Sequence, residues 1–131
     1  MKIVYRRARK TDWEEIRALI ALFPRDLLQD SLPHWTSFFV TELDGRLIGC
    51  AALDVHSKKL AEIRSLAVVE KYRRNGVASK LSKLCEERAR QKHIHETVTF
   101  CNEGAMWMFR KLGFRTTQGG KYALFQITDK R

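Results

Sequence analysis

The chain has 131 residues, of which 44% are hydrophobic and 31% are charged, so length and composition predict a single domain over residues 1–131. A net charge of +10, from 25 Lys and Arg against 15 Asp and Glu, favours an anionic partner: a phosphorylated cofactor, a carboxylate or a nucleic acid. No apolar run could span a bilayer, the N-terminus lacks the core of a signal peptide, and the three cysteines include no CxxC pair, so we expect a cytoplasmic protein without a membrane partner, a disulfide framework or a metal site.

Seven strands are predicted from apolar runs and alternation along the chain. They are expected over residues 2–8, 37–43, 46–55, 60–69, 94–101, 114–117 and 122–128. Asp44-Gly45 predicts a two-residue hairpin between the second and third strands, and Gly119-Gly120 predicts a turn between the last two. His93 and His95 would share a strand face, which suits a metal ion, but no third ligand is in view.

Helices are predicted where apolar residues recur at helical spacing. They are expected from a Thr11–Glu14 capping box to about residue 22, over 76–92, and over 102–112, with one more short helical piece between Pro24 and Pro33. Asn102 is a plausible N-cap, and Gly113 should end the last helix. This order of elements predicts an α/β fold with a sheet of mixed direction, in which residues 60–101 form a parallel strand–helix–strand crossover.

The segment EKYRRNGVASK, residues 70–80, sets basic residues against Gly76 at a helix start, where the helix dipole repels cations. A bound anion would resolve this conflict, because a helix start offers backbone N–H groups without internal partners. Gly76 lets a ligand approach the backbone, Ala78 keeps the next position small, and Arg73 and Arg74 can add charge-assisted contacts. A solvated basic turn explains the same residues, so the spacing alone leaves both interpretations open.

The motif RRNGVA, residues 73–78, resembles the R/Q-x-x-G-x-G/A signature of the GNAT acetyltransferase superfamily. The preceding EIRSLAVVEKY resembles the family's fourth strand, and NEGAMWMFRKLGF resembles its C-terminal N-x-x-A…LGF block. Within the superfamily, residues 24–55 and 60–68 look most like the acetyltransferase domain of N-acetylglutamate synthases and their short stand-alone relatives.

This resemblance implies a GNAT-like α/β fold, with a mixed, mostly antiparallel sheet of six or seven strands flanked by about four helices. It also implies acetyl-CoA as cosubstrate, with the diphosphate on backbone N–H groups and the pantetheine arm along the fourth strand. The fourth and fifth strands would splay apart around the thioester, where a backbone N–H near Leu66 or Ala67 would act as an oxyanion donor. The cofactor residues implied are Leu66, Ala67, Val68, Arg73, Arg74, Asn75, Gly76, Val77, Ala78, Ser79 and Asn102.

The resemblance also suggests a general base and shows a departure from the family. Glu62 stands where histone-acetylating members carry a glutamate base; Arg64, two residues on, faces the same side, so a plain ion pair is the alternative. The tyrosine that often protonates the leaving thiolate is replaced by Phe109, which cannot donate a proton, and Tyr72 or Tyr122 would need a suitable geometry to substitute. A thiol with a pKa of about 8.5 is a tolerable leaving group without an acid.

The implied acceptor is a small amine that carries a carboxylate, such as glutamate or another amino acid. Arginine binds carboxylates in a bidentate manner, and Arg25 and Arg64 are the candidate substrate-binding residues. Two other functions stay open: a CoA-binding domain that has lost catalysis, and a basic nucleic-acid-binding module. Nucleic acid is the less favoured partner because the sequence has no RRM aromatics, KH loop or zinc-finger pattern. Small members of the family often pair, so a homodimer is a further expectation.

Overall fold

The computed structural model describes residues 2–117 and 120–129, with seven strands and three α-helices. The strands are β1 (Ile3–Arg7), β2 (Phe38–Leu43), β3 (Arg46–Val55), β4 (Leu60–Val68), β5 (Glu96–Phe100), β6 (Arg115–Thr117) and β7 (Gly120–Ile127). The helices are α1 (Trp13–Ala21), α2 (Val77–Gln91) and α3 (Glu103–Lys111). Within these residues, no helix is long and apolar enough to cross a membrane.

The strands form one sheet in the order β1-β2-β3-β4-β5-β7-β6. Every neighbouring pair is antiparallel except β4 and β5, which run parallel and are joined through α2. The mixed, mostly antiparallel sheet and the parallel crossover predicted from the sequence are therefore confirmed. The hairpin between β2 and β3 is confirmed too, since Asp44 and Gly45 have φ angles of 50° and 87°, as a two-residue primed turn requires.

Two buried clusters hold the helices to the sheet. The cluster around α1 includes Ile16, Ile20, Phe38, Val40, Cys50 and Ala67. The cluster around α2 and α3 includes Ile63, Val77, Leu81, Cys85, Phe109 and Leu124. A large apolar side chain buried in this way contributes about 1.5–3 kcal/mol to folding. The two clusters fix where the ends of α1, α2 and α3 lie relative to β4 and β5.

Gly49 on β3 allows α2 to pack closely against the sheet. A Cβ atom at this position would lie 3.0 Å from Val77 Cγ1 and 3.1 Å from Leu81 Cδ1. The absence of a side chain at position 49 therefore sets the distance between α2 and the strands, and with it the position of the α2 N-terminus.

The segment between Pro24 and Pro33 forms turns instead of the predicted short helix, so the described residues contain three α-helices, fewer than the four or so expected. The reason is a competing set of hydrogen bonds. The side-chain amide of Gln29 donates to the carbonyls of Ile20 and Leu27, at 3.0 and 3.1 Å, and thereby fixes the chain in turns.

Two local predictions also differ from the structure, and a third is not tested by it. A 3-10 turn at Lys10–Asp12 precedes α1, and the Asp12 carboxylate accepts from the Arg9 N–H at 2.7 Å, so the capping box predicted for Thr11 and Glu14 is wrong. His93 and His95 lie in the turn before β5 and not on a strand, because β5 begins only at Glu96. The turn expected at Gly119 falls outside the described residues.

Candidate active site

A cleft opens where β4 and β5 separate. Their parallel pairing runs from Leu60 opposite Glu96 to Ile63 opposite Thr99, while β4 continues to Val68. The hydroxyl of Thr99 donates to the Ile63 carbonyl at 3.0 Å at the end of this ladder. Beyond it the β4 edge has no pairing with β5, which is the splay that the family resemblance implied.

Backbone strain lies at the same point. Ser65 has a φ of 57°, and the register between β3 and β4 shifts between Cys50 and Ala52. A left-handed conformation costs a residue other than glycine roughly 1–2 kcal/mol, and such strain is often found at functional sites. This shift is a β-bulge, and it reverses the face of the sheet on which the residues after Arg64 lie. As a result, Ile63 packs with α2, whereas Ala67, further along the same strand, packs with α1.

The cleft encloses about 120 Å³, roughly the volume of four water molecules. This space suits the reactive end of a thioester and not a whole CoA molecule, whose remainder would extend over the surface. Predicted site residues that line the cleft are Arg64, Leu66, Ala67, Arg73 and Asn102, together with Phe109. The other lining residues are Phe23, Asp26, Leu27, Ile63, Ser65, Thr99, Phe100, Cys101 and Ala105.

The start of α2 lies beyond the end of β4 and has the features of an anion site. Gly76 is the N-cap with a φ of 79°, no side chain caps the helix, and its first turn carries no acidic residue. The first backbone bond of the helix joins the Lys80 N–H to the Gly76 carbonyl at 3.0 Å, so the N–H groups of Val77, Ala78 and Ser79 have no partner within the helix. A Cβ at Gly76 would have no heavy atom within 4 Å, so the space beside these donors is open.

The loop before Gly76 places its basic side chains differently from one another. The Arg73 guanidinium lies 4.9 Å from the centroid of the Phe23 ring, which joins the loop to the segment after α1 across the cleft. Arg74 is exposed and has a φ of 71°, a strained angle for a residue other than glycine. Asn75 is exposed, whereas Val77 is buried in the core, so its side chain packs and only its backbone faces the open space.

Glu62 is held by histidine and not by Arg64. The Nε2 atom of His56 lies 3.0 Å from Glu62 Oε1, and their side chains are 42% and 19% exposed. Arg64 instead donates to Asp54 at 3.1 Å. Glu62 is not among the residues that line the cleft. The ligand atoms of Asp54, His56 and Glu62 lie within 4.8 Å of one another, a spacing that could also hold a metal ion, although the Arg64 cation beside Asp54 opposes it.

The far wall of the cleft is the start of α3. The side chain of Asn102 accepts from the Ala105 N–H at 3.0 Å, which confirms the predicted N-cap. Gly113, with a φ of 99°, ends the helix as predicted, and the Phe114 N–H bonds back to the Phe109 carbonyl at 3.0 Å. The Phe109 and Phe114 rings meet edge-on at 5.4 Å. Phe109 is therefore buried as part of a helix-ending motif.

Of the two alternative tyrosines, only Tyr72 has a described side chain. Tyr72 is half-buried beside Lys71 and does not line the cleft, and the side chain of Tyr122 lies outside the described part of the structure. Cys101, which does line the cleft, is half-buried, and burial raises the pKa of its thiol. The raised pKa keeps Cys101 mainly protonated at neutral pH and therefore a poor nucleophile.

The turn after α1 contributes a residue that the sequence analysis did not select. Arg25 is exposed and does not line the cleft, whereas its neighbour Asp26 does. The segment between Pro24 and Pro33 has no regular apolar spacing, so the sequence did not show which of its residues faces the cleft. Cys101 was also missed, although it immediately precedes the N-cap Asn102.

Comparison with known proteins agrees with this geometry. The model of the acetyltransferase (GNAT) family matches residues 5–114. An uncharacterised N-acetyltransferase of Chlorobaculum tepidum is 34% identical over 67% of this chain and 56% of that protein. The amino-acid acetyltransferase of Pseudomonas putida is 31% identical over 76% of this chain and 22% of that protein. The chain thus spans little more than half of the first relative and under a quarter of the second.

Two solved structures are similar over most of the chain. One is N-acetylglutamate synthase from Neisseria gonorrhoeae in complex with coenzyme A and N-acetylglutamate, with a TM-score of 0.84 and 25% identity over 99% of this chain and 36% of that one. The other is a Mycobacterium tuberculosis protein in complex with CoA, with a TM-score of 0.81 and 28% identity over 90% of this chain and 75% of that one.

Proposed function

Because this chain belongs to the acetyltransferase (GNAT) family, we propose that it is an acetyl-CoA-dependent N-acetyltransferase whose acceptor is a small amine bearing a carboxylate, such as glutamate or another amino acid. The observation that carries this proposal is the cleft between the diverging strands β4 and β5, beside the uncapped start of α2. The amino-acid acetyltransferase among the relatives and the N-acetylglutamate bound in a similar structure support the choice of acceptor.

The cofactor fits the charge and backbone geometry of the α2 N-terminus. The unpaired N–H groups after Gly76 and the positive end of the helix dipole suit a diphosphate. Arg73 and Arg74 add positive charge, and Asn75 offers a further polar side chain beside the loop. The β4 edge at Leu66–Val68 has no β5 partner, so the pantetheine arm can pair with it. An N–H near Leu66 or Ala67 would then face the thioester oxygen, and Asn102 lies on the opposite wall.

The reaction needs a neutral amine, which attacks the thioester carbon as the C–S bond breaks and CoA leaves as a thiolate. We propose that Glu62 takes the amine's proton through water, since it does not line the cleft. Its partner His56 is the more exposed of the two side chains, at 42% against 19%. Arg64 uses one nitrogen for Asp54 and keeps other donors for an acceptor carboxylate. Arg25 is the second candidate for that carboxylate.

The test is a thiol-release assay with acetyl-CoA and a panel of amino acids, polyamines and lysine-rich peptides. We expect glutamate or another amino acid to be preferred, and amide blocking of its α-carboxylate to lower kcat/KM. Arg64→Gln should remove that discrimination and Arg64→Lys should only reduce it, because lysine keeps the charge but not the bidentate geometry. Arg25→Gln tests the second candidate in the same assay. Glu62→Gln should lower kcat, with a loss that shrinks as pH rises and the amine loses its proton unaided. A preference for the peptide, or equal rates with and without the carboxylate, would contradict the proposed acceptor.

A CoA-binding domain without catalysis is the second candidate. It is favoured by the buried Phe109 at the place of the usual acid. Both candidates predict that CoA raises the Tm, but only the enzyme releases free thiol with an amine. The three cysteines are all free thiols, which suits the reducing cytoplasm proposed as the location.

A further inference from the structure

The charged groups of the cleft differ in whether they have partners. Of the described lining residues, Asp26, Arg64 and Arg73 carry formal charges at neutral pH. Arg64 is paired with Asp54, and Arg73 belongs to the loop proposed to hold the diphosphate. Asp26 has no ion pair with any described residue. Once CoA is bound, Asp26 is therefore the charge that still lacks an opposite charge.

The position of Asp26 is set by hydrogen bonds on both sides of it. The N–H groups of Asp26 and Leu27 both bond to the Phe23 carbonyl, at 3.3 and 3.0 Å. The Gln29 amide ties this turn to the end of α1 through the Ile20 carbonyl at 3.0 Å. Asp26 is exposed, so water reaches its carboxylate, and these bonds hold it beside the cleft.

We infer that Asp26 binds the ammonium group of the acceptor and so selects a cationic amine. This inference rests on the proposed acetyltransferase function and names a group that recognises its substrate. An α-amino acid arrives at neutral pH as a zwitterion: Asp26 faces its ammonium, and the free donors of Arg64 face its carboxylate. Asp26 would face positive charge on the nitrogen twice, first in the bound ammonium and again in the transition state, where the attacking amine nitrogen becomes positive. Because both states are stabilised to a similar extent, loss of Asp26 should raise the acceptor KM and leave kcat little changed.

The test compares an α-amino acid with its α-hydroxy acid analogue, which has the same skeleton and a neutral hydroxyl in place of the ammonium. In Asp26→Asn, we expect the KM of the best amino acid of the panel to rise about tenfold or more. The inhibition constant of the hydroxy acid should stay the same. Asp30→Asn is the matched control, since Asp30 is exposed in the same connection, does not line the cleft, and changes the net charge equally.

The pH dependence gives a second readout. The rise in KM should disappear as pH passes the pKa of the acceptor's amine, because a neutral amine no longer attracts a carboxylate. The other charged residues that line the described cleft are Arg64 and Arg73, and Arg25 adjoins Asp26 in the chain. Arginine side chains as a class stay charged throughout this range. A KM effect that persists when the amine is neutral would overturn the inference.

Equal weakening of amino-acid and hydroxy-acid binding would also overturn it, as would an effect of Asp30→Asn as large as that of Asp26→Asn. If the wild-type protein binds CoA but releases no thiol with any amine, both the proposed function and this inference are contradicted. If the wild type turns over and the KM of Asp26→Asn is unchanged, only the role of Asp26 is contradicted. Asp26→Ser is a second replacement, and a CoA-induced rise in Tm equal to that of the wild type shows that either variant is folded.

Discussion

Replacing Gly76 by aspartate or by asparagine should separate two effects on CoA binding: that of a negative charge at the proposed diphosphate site, and that of a side chain on the backbone conformation there. Both side chains have the same shape and tolerate the left-handed φ of 79°, at a cost of roughly 1 kcal/mol in the free energy of unfolding. Neither meets another heavy atom within 4 Å at Cβ. They differ in one negative charge beside the phosphates. At 4 Å, two like charges repel by about 1 kcal/mol in water and about 4 kcal/mol at an effective dielectric constant of 20.

We therefore expect Gly76→Asp to bind CoA roughly 5- to 700-fold more weakly than Gly76→Asn. The assay is titration calorimetry with CoA, supported by the CoA-induced rise in Tm. Gly45→Asp is the matched control for strain and charge, because Gly45 has a φ of 87°, also has no heavy atom within 4 Å of its Cβ position, and does not line the cleft. If both Gly76 variants bind CoA as tightly as the wild type, the start of α2 is a solvated basic turn and the assignment of the diphosphate site is wrong.

Gly49→Ala should lower the free energy of unfolding by about 1–3 kcal/mol, measured by urea, because the new Cβ would lie 3.0 and 3.1 Å from two α2 side chains. Cys101 should be the thiol that iodoacetamide alkylates in the folded protein, since the other two are buried, and bound CoA should protect it. Burial raises its pKa, so the alkylation rate should still increase above the pH at which an ordinary thiol levels off. Asp12→Asn should cost about 1–3 kcal/mol at pH 7. The hydrogen bond from Arg6 lowers the Asp12 pKa, so that stabilisation is present above the ordinary carboxyl pKa and is lost as pH falls through the lowered folded value.

Each of these three predictions can be contradicted by one specific result. An unchanged urea midpoint in Gly49→Ala would mean that α2 moves away freely. Alkylation of Cys101 that CoA does not slow would place the cofactor elsewhere. A stability difference between Asp12→Asn and the wild type that persists in strong acid would show that the ion pair is not its source.

The sequence by itself determined the features that depend on a few consecutive residues. The hairpin at Asp44-Gly45, the cap at Asn102, the helix end at Gly113 and the exposed helix start at Gly76 all follow from dihedral preferences and local hydrogen bonds. Apart from the short helix expected between Pro24 and Pro33, the order of helices and strands followed from apolar periodicity, and that order was enough to predict the parallel crossover. The resemblance around Gly76 added the family, which a basic turn alone would not have indicated.

Only the tertiary structure decided which distant side chains meet. The bulge at Ser65 shifts the β4 register, and a shift of one residue moves the following side chains to the other face of the sheet. Glu62 and Arg64 precede that bulge, where the register is regular: Asp54 lies directly opposite Glu62, and Ala52 lies opposite Arg64. Glu62 nevertheless meets His56 while Arg64 reaches Asp54. This choice between neighbouring partners depends on side-chain conformation, which the sequence could not show. The turn after α1 shows neither helical nor strand spacing of apolar residues. The position of Asp26 at the cleft is therefore fixed only by the hydrogen bonds that tie the turn to the end of the helix.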